Sequence, residues 1–78
     1  MYFTYVLRCS DGDLYVGSTS DLRRRLKEHE GGQVRTTSSR LPVELVYYEA
    51  CLSESGAAQR ERQLKTGFGR AYLKRRLA

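Results

Sequence analysis

Two short runs rich in aromatic and aliphatic residues, residues 2 to 9 and 13 to 18, are separated by the polar stretch Ser10-Asp11-Gly12. Runs of this length interrupted by turn residues predict a β-hairpin. The loop length decides which side chains share a face. A two-residue Asp11-Gly12 loop pairs Leu7 with Val16 and puts Tyr5 and Tyr15 on opposite faces. A three-residue loop, with Gly12 left-handed in a G1 bulge, pairs Leu7 with Tyr15 and Tyr5 with Gly17. The second register is expected, because Gly12 is the residue such a bulge favours, and it sets both tyrosines diagonally adjacent on one face.

After the hairpin the period changes. At 100° per residue Leu22, Leu26 and His29 fall on one stripe with Arg25 at its edge, while Arg23 and Arg24 point elsewhere, which predicts a helix over about 21–30. Ser20 is the expected N-cap and Gly31-Gly32 the stop. Residues 33–42, rich in Thr, Ser and Arg, read as an exposed loop, and Pro42 precedes a strand over 43–49 whose Tyr47 and Tyr48 are expected to be half-buried. A further helix is expected to start near Ser53 or Ser55 and to cover about 54–66. Gly67-Phe68-Gly69 should separate it from a last helix over 70–77. On the longer helix Ala57, Glu61, Leu64 and Phe68 lie within about 60° of each other, so Glu61 falls inside the apolar stripe. An unpaired buried carboxylate costs several kcal/mol. Glu61 therefore needs a cation or a hydrogen-bond network, and a rim pairing with Arg60, Arg62 or Lys65 is the alternative.

A chain of 78 residues predicts a single domain, 1–78. No apolar run approaches the roughly 18 residues that span a membrane and the start carries no basic leader, so a soluble, untargeted, cytoplasmic protein is expected. Cys9 and Cys51 are too few and too far apart for a metal-ligand pattern or a disulfide framework, and reduced, buried thiols are the simpler reading. The net charge of +5 is unevenly spread: residues 1–59 carry seven basic and eight acidic side chains, residues 60–78 seven and one. The excess lies in the cluster Arg60, Arg62, Lys65, Arg70, Lys74, Arg75 and Arg76, suited either to phosphates or to a solvated helix surface.

Order and spacing carry more than any single residue. Phe3-Thr4-Tyr5, then Tyr15-Val16-Gly17 with the tyrosines ten residues apart, then Arg25, His29 and, on a later helix, Glu61, resemble the core of the GIY-YIG nuclease superfamily. The stretches Arg8-Cys9 with Gly12, Leu41 to Tyr47 and Arg60 to Lys65 further resemble its small stand-alone bacterial members. The first triplet keeps only its tyrosine. Several nuclease members use an Asn after the metal-binding glutamate, and here Leu73 and Lys74 stand at that distance.

The resemblance implies an α+β fold: a three-stranded antiparallel sheet, hairpin 2–9/13–18 plus strand 43–49, packed with helices at about 21–30, 54–66 and 70–77. It also implies a one-metal DNA endonuclease of low sequence specificity, in repair or processing, with Tyr5, Tyr15, Arg25, His29 and Glu61 as site residues and Glu61 as the ligand of a weakly held Mg²⁺ or Mn²⁺. One carboxylate leaves most of such an ion's coordination to water and phosphate. Arg25 then supplies the second cation for the charge growing on phosphorus. Tyr5 is then the expected base, against an ordinary pKa of about 10, with Tyr15 and His29 orienting water or phosphate and an exchange of roles between the two tyrosines left open. Arg35, Arg40, Lys65, Arg70, Lys74, Arg75 and Arg76 are the expected nucleic-acid contacts, with DNA favoured over RNA. A noncatalytic nucleic-acid binding module, and an accessory subunit given specificity by a protein partner, are the alternatives.

Overall fold

The computed structural model describes residues 1–78. Its first two strands are β1 (Tyr2–Arg8) and β2 (Leu14–Thr19). Gly12 takes φ +86°, which favours glycine, and the Asp13 N–H donates to Asp11 Oδ1 at 2.9 Å to close the turn. The resulting register pairs Leu7 with Tyr15 and Tyr5 with Gly17, as the three-residue loop predicts.

Strand β3 (Glu44–Cys51) pairs antiparallel with the other side of β1, giving the order β2-β1-β3. With β1 central, Thr4, Tyr5, Val6 and Leu7 are all buried. Alternation sorts them. Tyr5 and Leu7 face helix α1 (Leu22–Glu30), and Thr4 and Val6 face α2 (Glu54–Leu64) and α3 (Gly67–Arg76). On the second face Thr4 Oγ1 donates to the Ala57 carbonyl at 2.8 Å, and Val6 and Val16 pack with Leu64 and Leu73. Each of these four apolar side chains contributes about 1.5–3 kcal/mol by leaving water. The α+β architecture and three-stranded antiparallel sheet are those expected, with strand ends shifted by one or two residues.

Several local expectations are corrected. Asp21, not Ser20, caps α1: its carboxylate accepts from the Arg24 N–H at 3.1 Å, and a negative charge there also suits the helix dipole. Helix α2 starts from Ser53 as expected but ends at Leu64. Thr66 caps α3, accepting from the Gly69 N–H at 3.2 Å, so Gly67-Phe68-Gly69 forms the first turn of α3 instead of a separator. A Cβ on Gly69 would collide with the backbone of Gln63 and Leu64, and this close approach is what the tight α2–α3 corner requires. The corner throws Phe68 off the buried stripe, and it is 92% exposed. Within the 33–42 loop Val34 and Thr37 are buried, because the N–H groups of Thr37 and Ser38 both bond back to the Val34 carbonyl and fold the segment inward. Tyr48 on β3 is exposed. Both cysteines are free thiols, Cys9 buried and Cys51 only half-buried. No helix is long and apolar enough to cross a membrane.

Candidate active site

The α1 face of the hairpin holds a line of buried polar groups. Tyr5 Oη lies 2.8 Å from His29 Nε2, and His29 Nδ1 lies 2.8 Å from Thr37 Oγ1. All three residues are wholly buried. Taking the Thr37 hydroxyl as a donor to the Val34 carbonyl, 3.5 Å away, assigns His29 the Nδ1–H tautomer, with Thr37 Oγ1 as its acceptor. Nε2 is then bare and accepts from the Tyr5 hydroxyl. Burial drives the His29 pKa below its ordinary value and Arg25 adds to the effect, so the imidazole is neutral. Burial likewise pushes Tyr5 up to about 12, although Arg25 pulls against the shift.

Arg25 sits one helical turn before His29, at the half-exposed rim. Its own pKa is raised, first by its interaction with Tyr5 and then by Glu28, whose Oε1 is 3.0 Å from the guanidinium. Arg23 and Arg24 are exposed, as the helical spacing predicts. The half-buried Tyr15 ring is 5.1 Å from that of His29 and 6.3 Å from that of Tyr5, so the shared face brings these rings together. Gly17 makes the packing feasible: a Cβ there would lie 2.6 Å from Tyr5 Oη and 3.1 Å from the Tyr15 ring.

Glu61 arrives from the opposite face. Its Oε1 accepts from Ser18 Oγ at 2.7 Å and its Oε2 is 2.7 Å from Lys65 Nζ, the rim pairing left open by the sequence. Burial pushes the carboxyl pKa up, but Lys65 and Ser18 outweigh it and hold the group below the usual carboxylate range. Its charge still acts on Tyr5, among the forces that raise the phenol's pKa. Two faces of the sheet thus contribute at the edge strand β2. No cluster of three His, Cys, Asp or Glu side chains exists, so a closed metal site is absent. What Glu61 and Ser18 offer is a hard-oxygen pair with one carboxylate already seating a cation. That donor set fits Mg²⁺ or Mn²⁺ when water and substrate complete the shell.

The expected nucleic-acid contacts divide. A cleft of about 460 Å³ along β2 is lined by Tyr15, Arg40, Lys65 and Arg70 over apolar Leu14 and Val16. Within it Arg40 is already 3.3 Å from Asp13 and 3.8 Å from Asp11, and Lys65 is bound to Glu61, so neither is a free cation. Arg70 and Lys74 sit together beside the hairpin. Arg75 belongs to a different groove, Arg76 covers the Tyr72 ring at 5.6 Å, and Arg35 is exposed in the inward-folded loop. Leu73, at the distance where some nucleases carry Asn, is core. Sequence reasoning missed Ser18 and Thr37. Ser18 was within reach, since the register places it opposite Thr4 on the face that Glu61 approaches. Thr37 carried no local signal, being one of several Thr and Ser residues in its loop.

A family model described as the GIY-YIG catalytic domain matches residues 1–75. A UPF0213 protein of Natronomonas pharaonis is 42% identical over 78 residues, 99% of this chain and 91% of that protein. One of Bacillus pumilus is 44% identical over 66 residues, 83% of this chain and 67% of that protein. Among solved structures, the solution NMR structure of a UPF0213 protein from Bacillus halodurans is similar with a TM-score of 0.58 at 34% identity, covering 94% of this chain and 82% of that one.

Proposed function

The chain belongs to the GIY-YIG catalytic-domain family, and from that premise we propose that it is a metal-dependent endonuclease that hydrolyses DNA phosphodiester bonds with low sequence specificity. The observation that carries the reading is the buried chain Tyr5–His29–Thr37 beside the Arg25 guanidinium. A structural tyrosine needs one hydrogen-bond partner. This one has a neutral imidazole as proton acceptor and an arginine that favours its phenolate.

Arg25 faces the scissile phosphate and offsets the charge that builds on it, with donors that cannot deprotonate. Tyr5 is the proton acceptor for the attacking water: as its hydroxyl takes that proton, its own passes to His29 Nε2. Neither residue has to ionise alone against its raised or lowered pKa. Tyr15, half-exposed on the cleft wall, orients the water or phosphate. Tyr5 and His29 are wholly buried, with the Tyr15 ring packed 6.3 Å and 5.1 Å from theirs, so substrate has to displace side chains around them to reach Tyr5. Glu61 and Ser18 would hold Mg²⁺ or Mn²⁺, which when bound neutralises the phosphate and stabilises the departing oxygen. Lys65 has to release Glu61 for this, so metal affinity without substrate is weak.

The same two features, sealed tyrosine and occupied carboxylate, also favour a second reading, a nucleic-acid binding module that keeps the fold without catalysis. The discriminating assay incubates the protein with labelled linear, single-stranded and branched DNA and matching RNA in Mg²⁺, Mn²⁺ or EDTA. Cleavage that EDTA, Glu61→Gln and Arg25→Ala each abolish supports the nuclease and identifies its substrate. Salt-dependent retention of label without cleavage supports the module.

A further inference from the structure

Phe68 is the most exposed large apolar side chain of the molecule, at 92%. One exposed apolar residue is ordinary in a protein. Its setting is not. It stands in the first turn of α3, fixed there by the corner that Gly69 makes possible, one turn before Tyr72 and two before Arg75 on the same helix face. These three meet Arg60 and Gln63 of α2 across a groove of about 440 Å³. No carboxylate side chain occurs from Arg62 to Ala78.

The other groups of the groove are committed. Arg60 grips Glu49 through Nε at 2.9 Å and lies 4.9 Å over the Tyr72 ring, whose other neighbour is Arg76. The Phe68 ring has no aromatic or cationic partner, and the exposed Arg75 side chain has no ion pair. The groove thus offers an open π face next to an open cation, on a fixed helix.

We propose that Phe68 is a stacking platform for an unpaired base of a single-stranded nucleic acid, with Arg75 taking the adjoining phosphate. This rests on the reading of the chain as a nucleic-acid-acting protein and narrows its substrate to one with a single-stranded segment. A single strand supplies both halves of the match, a base face for the ring and a phosphate for the cation. A duplex keeps its bases stacked inside and offers the ring nothing. An apolar protein surface would leave Arg75 without a counter-charge.

The test is binding in EDTA, so that cleavage plays no part, measured by fluorescence anisotropy with fluorescein-labelled oligo(dT) and with its duplex to oligo(dA). Phe68→Ala is expected to weaken oligo(dT) binding about 5- to 100-fold and to leave duplex binding unchanged. Phe68→Tyr should retain binding, and Phe68→Leu, apolar but without a π face, should behave like the alanine variant. Arg75→Gln should lower the salt dependence by about one phosphate contact. Circular dichroism reports that each variant is folded, as expected for exposed positions. Equal oligo(dT) affinity of Phe68→Ala and the parent overturns the platform while leaving the nuclease reading intact, as does an equal loss on both probes. A parent that binds neither probe overturns the platform, and the metal-dependent cleavage assay decides the nuclease separately. Phe68-dependent binding by a chain that cleaves nothing supports the platform and removes only the nuclease.

Discussion

Tyr5 Oη and His29 Nε2 lie 2.8 Å apart inside a protein whose sole histidine and most deeply placed tyrosine come from different elements, 24 residues apart. Tyr5→Phe removes one partner and leaves Nε2 buried and unpaired, at a cost of about 1–3 kcal/mol. Chemical denaturation should read that loss. On the reading above, cleavage should fall by about 100-fold or more, because the proton acceptor is gone. A variant that cleaves at the parent's rate would remove Tyr5 from the chemistry.

The pH dependence of stability should carry the signature of His29. Its folded pKa is lowered by burial, so below the unfolded value of about 6.5 the unfolded chain holds more protons than the folded one. Stability therefore falls as pH drops from about 6.5 toward the folded pKa, at up to about 1.4 kcal/mol per unit. Glu49 and Glu61, held below the carboxylate range, contribute stability above about pH 4.3 that is lost only at lower pH. The melting temperature measured from pH 7 to pH 5 should decline in the parent and flatten in His29→Gln.

Thr37 fixes the histidine tautomer. Thr37→Val keeps the shape but leaves Nδ1–H without an acceptor, which should cost about 1–3 kcal/mol, whereas Thr37→Ser keeps the bond and most of the stability. Nitrogen-15 chemical shifts of the imidazole should report Nδ1–H in the parent. A proton on Nε2 instead would reverse the donor order along the chain.

Lys65 competes with a metal for Glu61 Oε2. In Lys65→Met, Mn²⁺ affinity followed by electron paramagnetic resonance should rise several-fold. Stability should change by less than about 1 kcal/mol, since the lysine is half-exposed and its pair is solvent-screened. Glu61→Gln should lose Mn²⁺ binding. Unchanged affinity in both variants would sink the assignment of Glu61 as ligand.

Gly17 is needed for space alone. Gly17→Ala drives a methyl against Tyr5 Oη and Cζ, both enclosed by the α1 face, and should cost about 1–3 kcal/mol through forced displacement of the ring. A crystal structure or heteronuclear NMR spectrum of that variant should show Tyr5 and His29 shifted together.

The sequence by itself determined the hairpin, its register and the face shared by Tyr5 and Tyr15, because Gly12 and the alternation of side chains are local and a one-residue slip would turn every side chain over. It also set Arg25 apart from Arg23 and Arg24, since helical spacing needs no information from elsewhere. Only the tertiary structure decided what those groups meet. Thr37 beneath His29, Ser18 on Glu61, the pairing of Glu61 with Lys65 and the exposure of Phe68 each depend on how elements far apart in the chain come to rest. The α2–α3 corner shows the physical reason. Residue period describes a helix face only while the helix continues, and Thr66 with Gly69 ended one helix and began another before the period reached Phe68.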